Sequence, residues 1–189
     1  MKVVGILGSP RTDGNSSTIA KKFIKTAKGL GAQTQIFHLN ELNYKGCQGC
    51  YSCKGKLEHC ILDDDLTNVL NAMHTANIIV LSSPNYYGDV SGQMKTFIDR
   101  TFSHLTTDFI KSDKKSRLPR GKHAVFIITQ ASGENTSKDI LERYYKLKHY
   151  LQFEAMHLLV GSELTYTKGV DQRPELLAEA VNLAHAIIR

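Results

Sequence analysis

Short apolar runs alternate with longer amphipathic stretches along the chain. The apolar runs occupy residues 2–7, 78–81, 124–128 and 156–160, and residues 33–39 alternate more weakly between apolar and polar side chains. Runs of this length that end at Gly, Ser or Pro are typical of buried strands. The pattern therefore predicts five strands.

Between these runs, apolar residues recur at helical spacing. Two predicted helices start at an Asn15 or Ser16 N-cap and at Asp63–Asp65. Two more span residues 91–103 and 136–152, and the last starts at Pro174. Strict alternation of strands and helices predicts an α/β fold with a parallel sheet and helices on both faces. Right-handed crossovers favour the strand order 2-1-3-4-5 in one domain over residues 1–189.

Composition narrows the class of protein. The chain has 189 residues, 41% hydrophobic and 22% charged, which fits one globular domain. No run approaches a membrane span, and the first apolar run is too short for a signal peptide, so we expect a cytoplasmic protein without a membrane partner.

The net charge of +6 includes a cluster at Lys111–Lys122, interpreted as a solvated loop. Without a recognition helix, RNP-like aromatics or a continuous basic stripe, we expect no nucleic-acid partner.

Two loops are the expected ligand site. Ligands of open α/β sheets bind beyond the carboxyl ends of the strands where the strand order reverses, here at Gly8–Thr18 and Ser82–Val90. The first loop matches neither a Walker A nor a GxGxxG motif, yet it offers hydroxyls, an amide, a guanidinium and a helix N-terminus. Those groups suit a phosphate monoester, although an ordinary capped turn is the alternative.

The second loop carries two adjacent aromatic residues. Tyr86 and Tyr87 lie between Pro84 and Gly88 at the end of the third predicted strand. They can present a flat face to a planar ring. A surface turn whose tyrosines pack on their neighbours is the alternative.

The four cysteines are confined to a loop at residues 43–62, with the spacing Cys47-x2-Cys50-x2-Cys53-x6-Cys60. In a cytosolic chain such clustering indicates a metal or redox loop. Three cysteines at CxxCxxC spacing can turn around three corners of a cubane, and the fourth closes the site. Zinc, a redox disulfide, or a loop without metal are the alternatives.

These motifs together resemble a known family. Three segments are similar to motifs of the NADPH-dependent FMN reductase group of flavodoxin-like proteins. They are Gly-Ser-Pro-Arg-x-x-Gly-Asn-Ser at 8–16, Ser-Pro-x-Tyr-x-Gly at 83–88 and the segment Lys95–Arg100. The resemblance runs from Met1 to about Gly133. The cysteine motif resembles that of the iron-sulfur flavoproteins, a branch of the same family.

The resemblance implies a flavodoxin-like three-layer sandwich, FMN as cofactor, NAD(P)H as co-substrate, a possible [4Fe-4S] cluster, and a homodimer or homotetramer. It implies that the first loop holds the FMN phosphate and that the second lines the flavin ring. A third loop, which follows the fourth predicted strand, borders the other side of the ring, and the cysteines bind the cluster. Carried over, the phosphate-binding residues are Ser9, Arg11, Asn15, Ser16 and Ser17, and the residues that line the ring are Pro84, Asn85, Tyr86, Tyr87 and Gly88. The third loop contributes Thr129 and Gly133, and the cluster ligands are Cys47, Cys50, Cys53 and Cys60. Asn85 departs from the family, whose members usually have an apolar residue there.

Two functions follow as expectations. The first is an FMN-dependent oxidoreductase that takes hydride from NAD(P)H and passes electrons to a quinone, a flavin or another small acceptor. The flavin performs this chemistry itself, so we expect no catalytic side chain. The alternative is an iron-sulfur flavoprotein that relays single electrons from a ferredoxin-like donor through FMN and a [4Fe-4S] cluster. The sequence leaves two roles open for Asp99 and Arg100, pairing across a subunit contact or capping a helix.

Overall fold

The computed structural model describes residues 1–133, 138–165 and 167–188, in which one central sheet lies between two layers of helices. The strands are β1 (Lys2–Leu7), β2 (Gln33–His38), β3 (Ile78–Tyr86), β4 (Asp89–Val90), β5 (His123–Thr129) and β6 (Ala155–Gly161). The α-helices are α1 (Asn15–Gly29), α2 (Leu66–Thr75), α3 (Gly92–Arg100), α4 (Lys138–Leu151) and α5 (Pro174–Ile187). Among the described residues, no helix combines the length and the apolar character needed to cross a bilayer.

The five long strands run parallel in the order β2-β1-β3-β5-β6, which confirms the predicted parallel order. The prediction of five strands in all was wrong, because β4 pairs antiparallel with the end of β3. β4 has only two residues and leaves no apolar run in the sequence. β3 also extends past the predicted end at residue 81 to Tyr86, and the chain reverses at Tyr87 and Gly88, whose φ angles are 52° and 78°.

The two faces of the sheet bury separate apolar clusters, which confirms the three-layer architecture. α2, α3 and α4 cover one face, where Ile79 and Phe126 are fully buried. α1 and α5 cover the other face, where Val80 and Val125 are fully buried. Successive side chains of a strand point to opposite faces, so a strand buried on both sides reads as a continuous apolar run.

Two helix boundaries differ from the sequence prediction. α3 ends at Arg100 rather than at 103, and a 3₁₀ turn follows over Thr101–His104. α2 begins at Leu66, so the three aspartates precede the helix instead of forming its first turn, and Asp64 Oδ1 accepts from the Leu66 amide at 3.1 Å. The predicted start of α4 at residue 136 lies outside the described residues.

The basic segment Lys111–Lys122 is only partly solvated. Lys122 is 4% exposed, and its ammonium donates to the carbonyls of His74 at 2.7 Å and Ala76 at 2.5 Å. Arg117 donates to two further carbonyls in the preceding segment. The solvated-loop interpretation is therefore wrong for these two cations, whose side chains donate to backbone carbonyls.

Candidate functional site

A cleft of about 350 Å³ opens at the carboxyl ends of β1, β3, β5 and β6, where the sheet topology places a ligand. Its lining comprises Ser9, Arg11, Asn15, Ser16, Pro84, Asn85, Tyr86, Thr129, Gln130, Ala131, Leu164 and Thr165. Eight of these twelve were predicted from the sequence. Among the described residues, the lining contains one cation and no carboxylate, which favours an anionic ligand.

Close packing forms the first loop. A Cβ atom at Gly14 would lie 2.6 Å from the Ser9 hydroxyl, so only glycine allows the loop to close around that side chain. The Ser9 hydroxyl accepts from the Arg11 amide at 3.1 Å. Ser17 is fully buried and its hydroxyl donates to the Arg11 carbonyl at 3.2 Å, so it shapes the loop from beneath rather than lining the cleft.

The start of α1 leaves donors for an anion. The N-cap is Gly14, which corrects the prediction of Asn15 or Ser16, and no side chain in the described part of the chain caps this helix. The Asn15 side chain accepts instead from the Val170 amide at 3.1 Å, which ties the loop before α5 to the cleft. The Ser16 hydroxyl is buried and has no hydrogen-bond partner among the described residues. An unpaired buried hydroxyl beside open helix amides fits a phosphate oxygen.

The N-terminus of α3 fixes the two loops relative to each other. The Ser91 hydroxyl donates to the Gly8 carbonyl at 2.6 Å, and the Ser91 amide donates to the Ser83 hydroxyl at 2.8 Å. A Cβ atom at Gly8 would lie 2.7 Å from Cβ of Met94, so this close approach requires glycine. The cleft therefore rests on rigid elements.

In the second loop, the structure separates the two tyrosines. Pro84, Asn85 and Tyr86 line the cleft, but Tyr87 is fully exposed in the β3–β4 turn and Gly88 is outside the lining. The turn forces this separation, because Tyr87 takes a left-handed conformation that directs the chain back into β4. Of the two tyrosines, Tyr86 therefore lines the cleft in this structure and Tyr87 does not.

The third loop places Thr129 in the cleft, but Gly133 is not among the lining residues. Gln130 is the residue that sequence reasoning missed here. Its side-chain oxygen accepts from Asn85 Nδ2 at 3.0 Å, and its nitrogen donates to the Gly133 carbonyl at 2.7 Å. Asn85, the departure from the family pattern, thereby joins the second loop to the third.

Residues after β6 complete the cleft. Leu164 and Thr165 line it, and the sequence analysis did not predict them. Their position after the last strand could have pointed to them, because the carboxyl ends of parallel strands share one edge of the sheet. No motif distinguishes them.

A second cavity, of about 580 Å³, lies beside the cysteine loop. All four cysteines line it as free thiols, with Cys47 and Cys50 exposed, Cys53 buried and Cys60 half-buried. Much of the remaining lining is apolar, including Phe102 and Leu105. In the part of the chain that the structure describes, no three His, Cys, Asp or Glu side chains come together tightly enough to hold a metal ion.

Two cations flank the cysteines. Arg100 forms a two-pronged ion pair with Asp64, at 2.7 and 3.1 Å. Burial raises the pKa of Asp64, but the hydrogen bonds from Arg100 and from the Lys45 amide outweigh it and leave that pKa below its ordinary value. Lys54, within the loop, donates to the carbonyls of Phe102 and Leu105. Burial lowers the pKa of the Lys54 ammonium, and the thiol of Cys53 partly offsets this.

Four thiols on one cavity, with cations beside them, suit an iron-sulfur cluster chemically. Thiolates are the usual ligands of such clusters, and nearby positive charge offsets the net negative charge of a four-thiolate cubane. Asp64 and Asp65 accept instead from the amides of Lys45 and Asn43, so they brace the stem of the loop.

Comparisons with known proteins place this chain in a family. The protein family described as NADPH-dependent FMN reductase matches residues 1–188. An iron-sulfur flavoprotein of Archaeoglobus fulgidus is 39% identical over 100 residues, 53% of this chain and 45% of that protein. One from Methanocaldococcus jannaschii is 37% identical over 101 residues, 53% of this chain and 52% of that protein. This chain therefore matches about half the length of these two relatives.

The fold is shared with solved structures of lower identity. An NAD(P)H:quinone oxidoreductase from Methanothermobacter marburgensis superimposes with a TM-score of 0.78 at 14% identity, covering 100% of this chain and 96% of that one. An FMN-dependent NADH-azoreductase from Bacillus anthracis, in complex with FMN, gives a TM-score of 0.73 at 13% identity and covers all of both chains. These structures confirm the flavodoxin-like fold.

Proposed function

Because this chain belongs to the NADPH-dependent FMN reductase family, we propose that it is an FMN-dependent oxidoreductase. It takes hydride from NAD(P)H and passes electrons to a small acceptor such as a quinone or a flavin. Bound FMN supplies the redox chemistry, because its ring accepts hydride and returns electrons. The protein contributes binding, orientation and charge.

The observation that carries this proposal is the unpartnered donor set at the start of α1. The Ser16 hydroxyl is buried without a partner among the described residues, the helix start has no side-chain cap, and Arg11 lines the same cleft. Backbone amides, a hydroxyl and a guanidinium together form a phosphate site. The cleft extends from there past Asn85 and Thr129, the direction in which a flavin would continue.

Asn85 and Gln130 are proposed to orient the flavin ring. Their side chains are hydrogen-bonded to each other between the second and third loops, so both amide groups are fixed in direction. A reduced flavin gains negative charge near N1, and preorganised donors at the cleft would stabilise that charge. No side chain is required as an acid or base, in keeping with the expectation of no catalytic residue.

The test is NADPH oxidation by anaerobically purified protein, with and without added FMN, in the presence of menadione as a quinone probe. The proposal expects turnover that depends on FMN and saturates as the flavin site fills. An Asn85→Ala variant is expected to lower turnover at saturating FMN, whereas Tyr87→Ala, at the exposed turn, is expected to leave it unchanged. FMN-saturated wild-type protein that does not oxidise NADPH would refute the activity.

A second function is favoured by the cysteine cavity. Four free thiols line one cavity, and the curated relatives include iron-sulfur flavoproteins. We propose that Cys47, Cys50, Cys53 and Cys60 hold a [4Fe-4S] cluster, and that the protein then relays single electrons between a ferredoxin-like donor and its acceptor.

Iron and acid-labile sulfide analysis of anaerobic preparations separates the two functions. A variant with all four cysteines changed to serine is the matched control, since it retains the flavin cleft. If it keeps full NADPH-dependent quinone reduction, the flavin acts without the cluster. If iron-containing wild-type protein is reduced quickly by a ferredoxin and slowly by NADPH, the relay function holds.

The homodimer or homotetramer implied by the family resemblance remains part of the proposal. Light scattering of the purified protein tests it directly. A monomeric mass at all concentrations would contradict it.

A further inference from the structure

Arg100 is a charged side chain held in the interior. It ends α3 and is 1% exposed. Its two terminal nitrogens donate to the Lys45 carbonyl at 2.7 Å, to the Asp64 carboxylate at 2.7 and 3.1 Å, and to the Leu62 carbonyl at 3.4 Å. Within this chain the partner of Arg100 is the Asp64 carboxylate, which is neither of the two roles that the sequence left open for it.

These partners lie on both stems of the cysteine loop. Lys45 precedes Cys47 by two residues, and Leu62 follows Cys60 by two residues. A single guanidinium therefore joins the chain entering the loop to the chain leaving it. Such a rigid, planar donor group preserves the spacing of two backbone segments in a way that a flexible ammonium does not.

The fifth donor of this guanidinium is the Nε–H group. Arg100 Nε is buried and makes no hydrogen bond within the described residues. Native proteins rarely leave a buried donor unpaired, so such a donor indicates a group that binds there. Arg100 lines the same cavity as the four cysteines.

We propose that Arg100 is a positioning residue for the cysteine centre, holding the stems of the loop together and placing a positive charge in the cavity that the four cysteines line. This inference rests on the proposed iron-sulfur function. A cubane with four thiolates is negative and becomes more negative on reduction, so a fixed cation stabilises the reduced form. The residue thereby affects both retention of the cluster and its reduction potential.

The test compares anaerobically reconstituted wild-type protein with Arg100→Gln, Arg100→Lys and Asp64→Asn. Iron and sulfide content and the midpoint potential of the cluster are measured, independently of enzymatic activity. Arg100→Gln is expected to reduce iron content at least about twofold from about four atoms per chain and to shift the potential to more negative values. Arg100→Lys is expected to keep a potential near that of wild type but to lose iron faster.

Asp64→Asn separates charge from structure. It removes an anion beside the centre and leaves Arg100 in place, so the potential should shift to more positive values. A merely structural role would disturb the loop in both variants and shift the potential in one common direction. Lys95→Gln is the matched control, because Lys95 lies on the same helix in an exposed ion pair with Asp99. It is expected to change neither iron content nor potential.

Two results would overturn the inference while leaving the iron-sulfur proposal intact. One is Arg100→Gln protein with the iron, sulfide and potential of wild type, and the other is a shift of the same sign in Arg100→Gln and Asp64→Asn. If Arg100→Gln does not fold, the sign of the Asp64→Asn shift decides, and a negative or absent shift refutes the inference. Wild-type protein that takes up no iron refutes the cluster proposal and this inference with it.

Discussion

Arg11 contributes the one positive side chain to the described lining of the cleft. Changing Arg11→Ala should weaken FMN binding about 10- to 100-fold, because a charge-assisted hydrogen bond to phosphate contributes about 1.5–3 kcal/mol. Riboflavin lacks the phosphate, so its affinity should not change. Flavin fluorescence titration measures both ligands.

Lys25→Ala is the control for that measurement, since it removes an exposed cation from the same segment of the chain without touching the cleft. If Arg11→Ala binds FMN as tightly as wild type does, the phosphate lies elsewhere. If riboflavin affinity falls in parallel with FMN affinity, the variant has disturbed the cleft as a whole.

His104 makes stability depend on pH. Its ring is 5% exposed, and burial lowers its pKa to about 3, so it is neutral in the folded protein. The unfolded chain binds a proton there near pH 6.5, so this contribution is present above pH 6.5 and is lost as the pH falls toward 3. We expect the unfolding free energy to fall by about 2 kcal/mol between pH 7 and pH 5 through this residue.

Urea unfolding of wild type and His104→Gln at both pH values tests this. The variant should show a much smaller change between them, whereas changing the exposed His149→Gln should leave the wild-type change intact. Equal pH dependence in wild type and His104→Gln would show that other groups control it.

Part of the cleft could be predicted from residue types alone. Ser9, Arg11 and Ser16 lie in a loop whose donors are typical of phosphate binding, and the structure brings them together. Gln130, Leu164 and Thr165 were missed because no motif marks them, and only the ends of β5 and β6 point to them. Tyr87 lies outside the lining of the cleft, and the sequence does not reveal the two-residue strand that turns it outward.

At the scale of elements, α4 is joined to Asp89 of the β3–β4 hairpin by the Arg143 guanidinium and by a buried hydroxyl. Tyr144 is 4% exposed, and its hydroxyl donates to Asp89 Oδ1 at 2.6 Å. Burial and this hydrogen bond raise the pKa of the Tyr144 hydroxyl, so it stays a donor across neutral pH. Tyr144→Phe should reduce the unfolding free energy by about 1–3 kcal/mol, because the bond is to a charged acceptor.

Urea unfolding with Tyr145→Phe as control measures this effect. Tyr145 is adjacent on α4 but 42% exposed, so its hydroxyl is expected to contribute little. Two variants with equal midpoints would contradict a stabilising role for the Tyr144–Asp89 bond.

The elements themselves were largely predictable. Buried parallel strands need continuous apolar runs and their helices need one apolar stripe, so β1, β3 and β5 and the helices between them are visible in the pattern. β4 was not, because two residues carry no periodicity. The cap of α1 was mispredicted because the Asn15 side chain bonds to Val170, 155 residues away along the chain.

At the scale of the whole molecule, the net charge of +6 bears on the electron donor. Opposite charge steers two proteins together, and salt screens that attraction. If a ferredoxin-like acidic protein supplies the electrons, its rate of reduction of this protein should fall about tenfold between low salt and 0.3 M salt. Stopped-flow absorbance measures this rate.

Dithionite, a small reductant, is the control for that experiment, because it lacks an extended acidic surface. Its rate should depend on salt far less than the rate with the acidic protein. A protein donor whose rate is independent of salt would argue against charge-steered docking.

The central claim is that the cleft at the start of α1 holds the FMN phosphate. A crystal structure of the protein grown with FMN tests it most directly. In that structure we expect the phosphate oxygens to lie within hydrogen-bond distance of the Ser16 hydroxyl and the first amides of α1, with Arg11 beside them. A phosphate bound elsewhere, or a cleft that stays empty at saturating FMN, would contradict it.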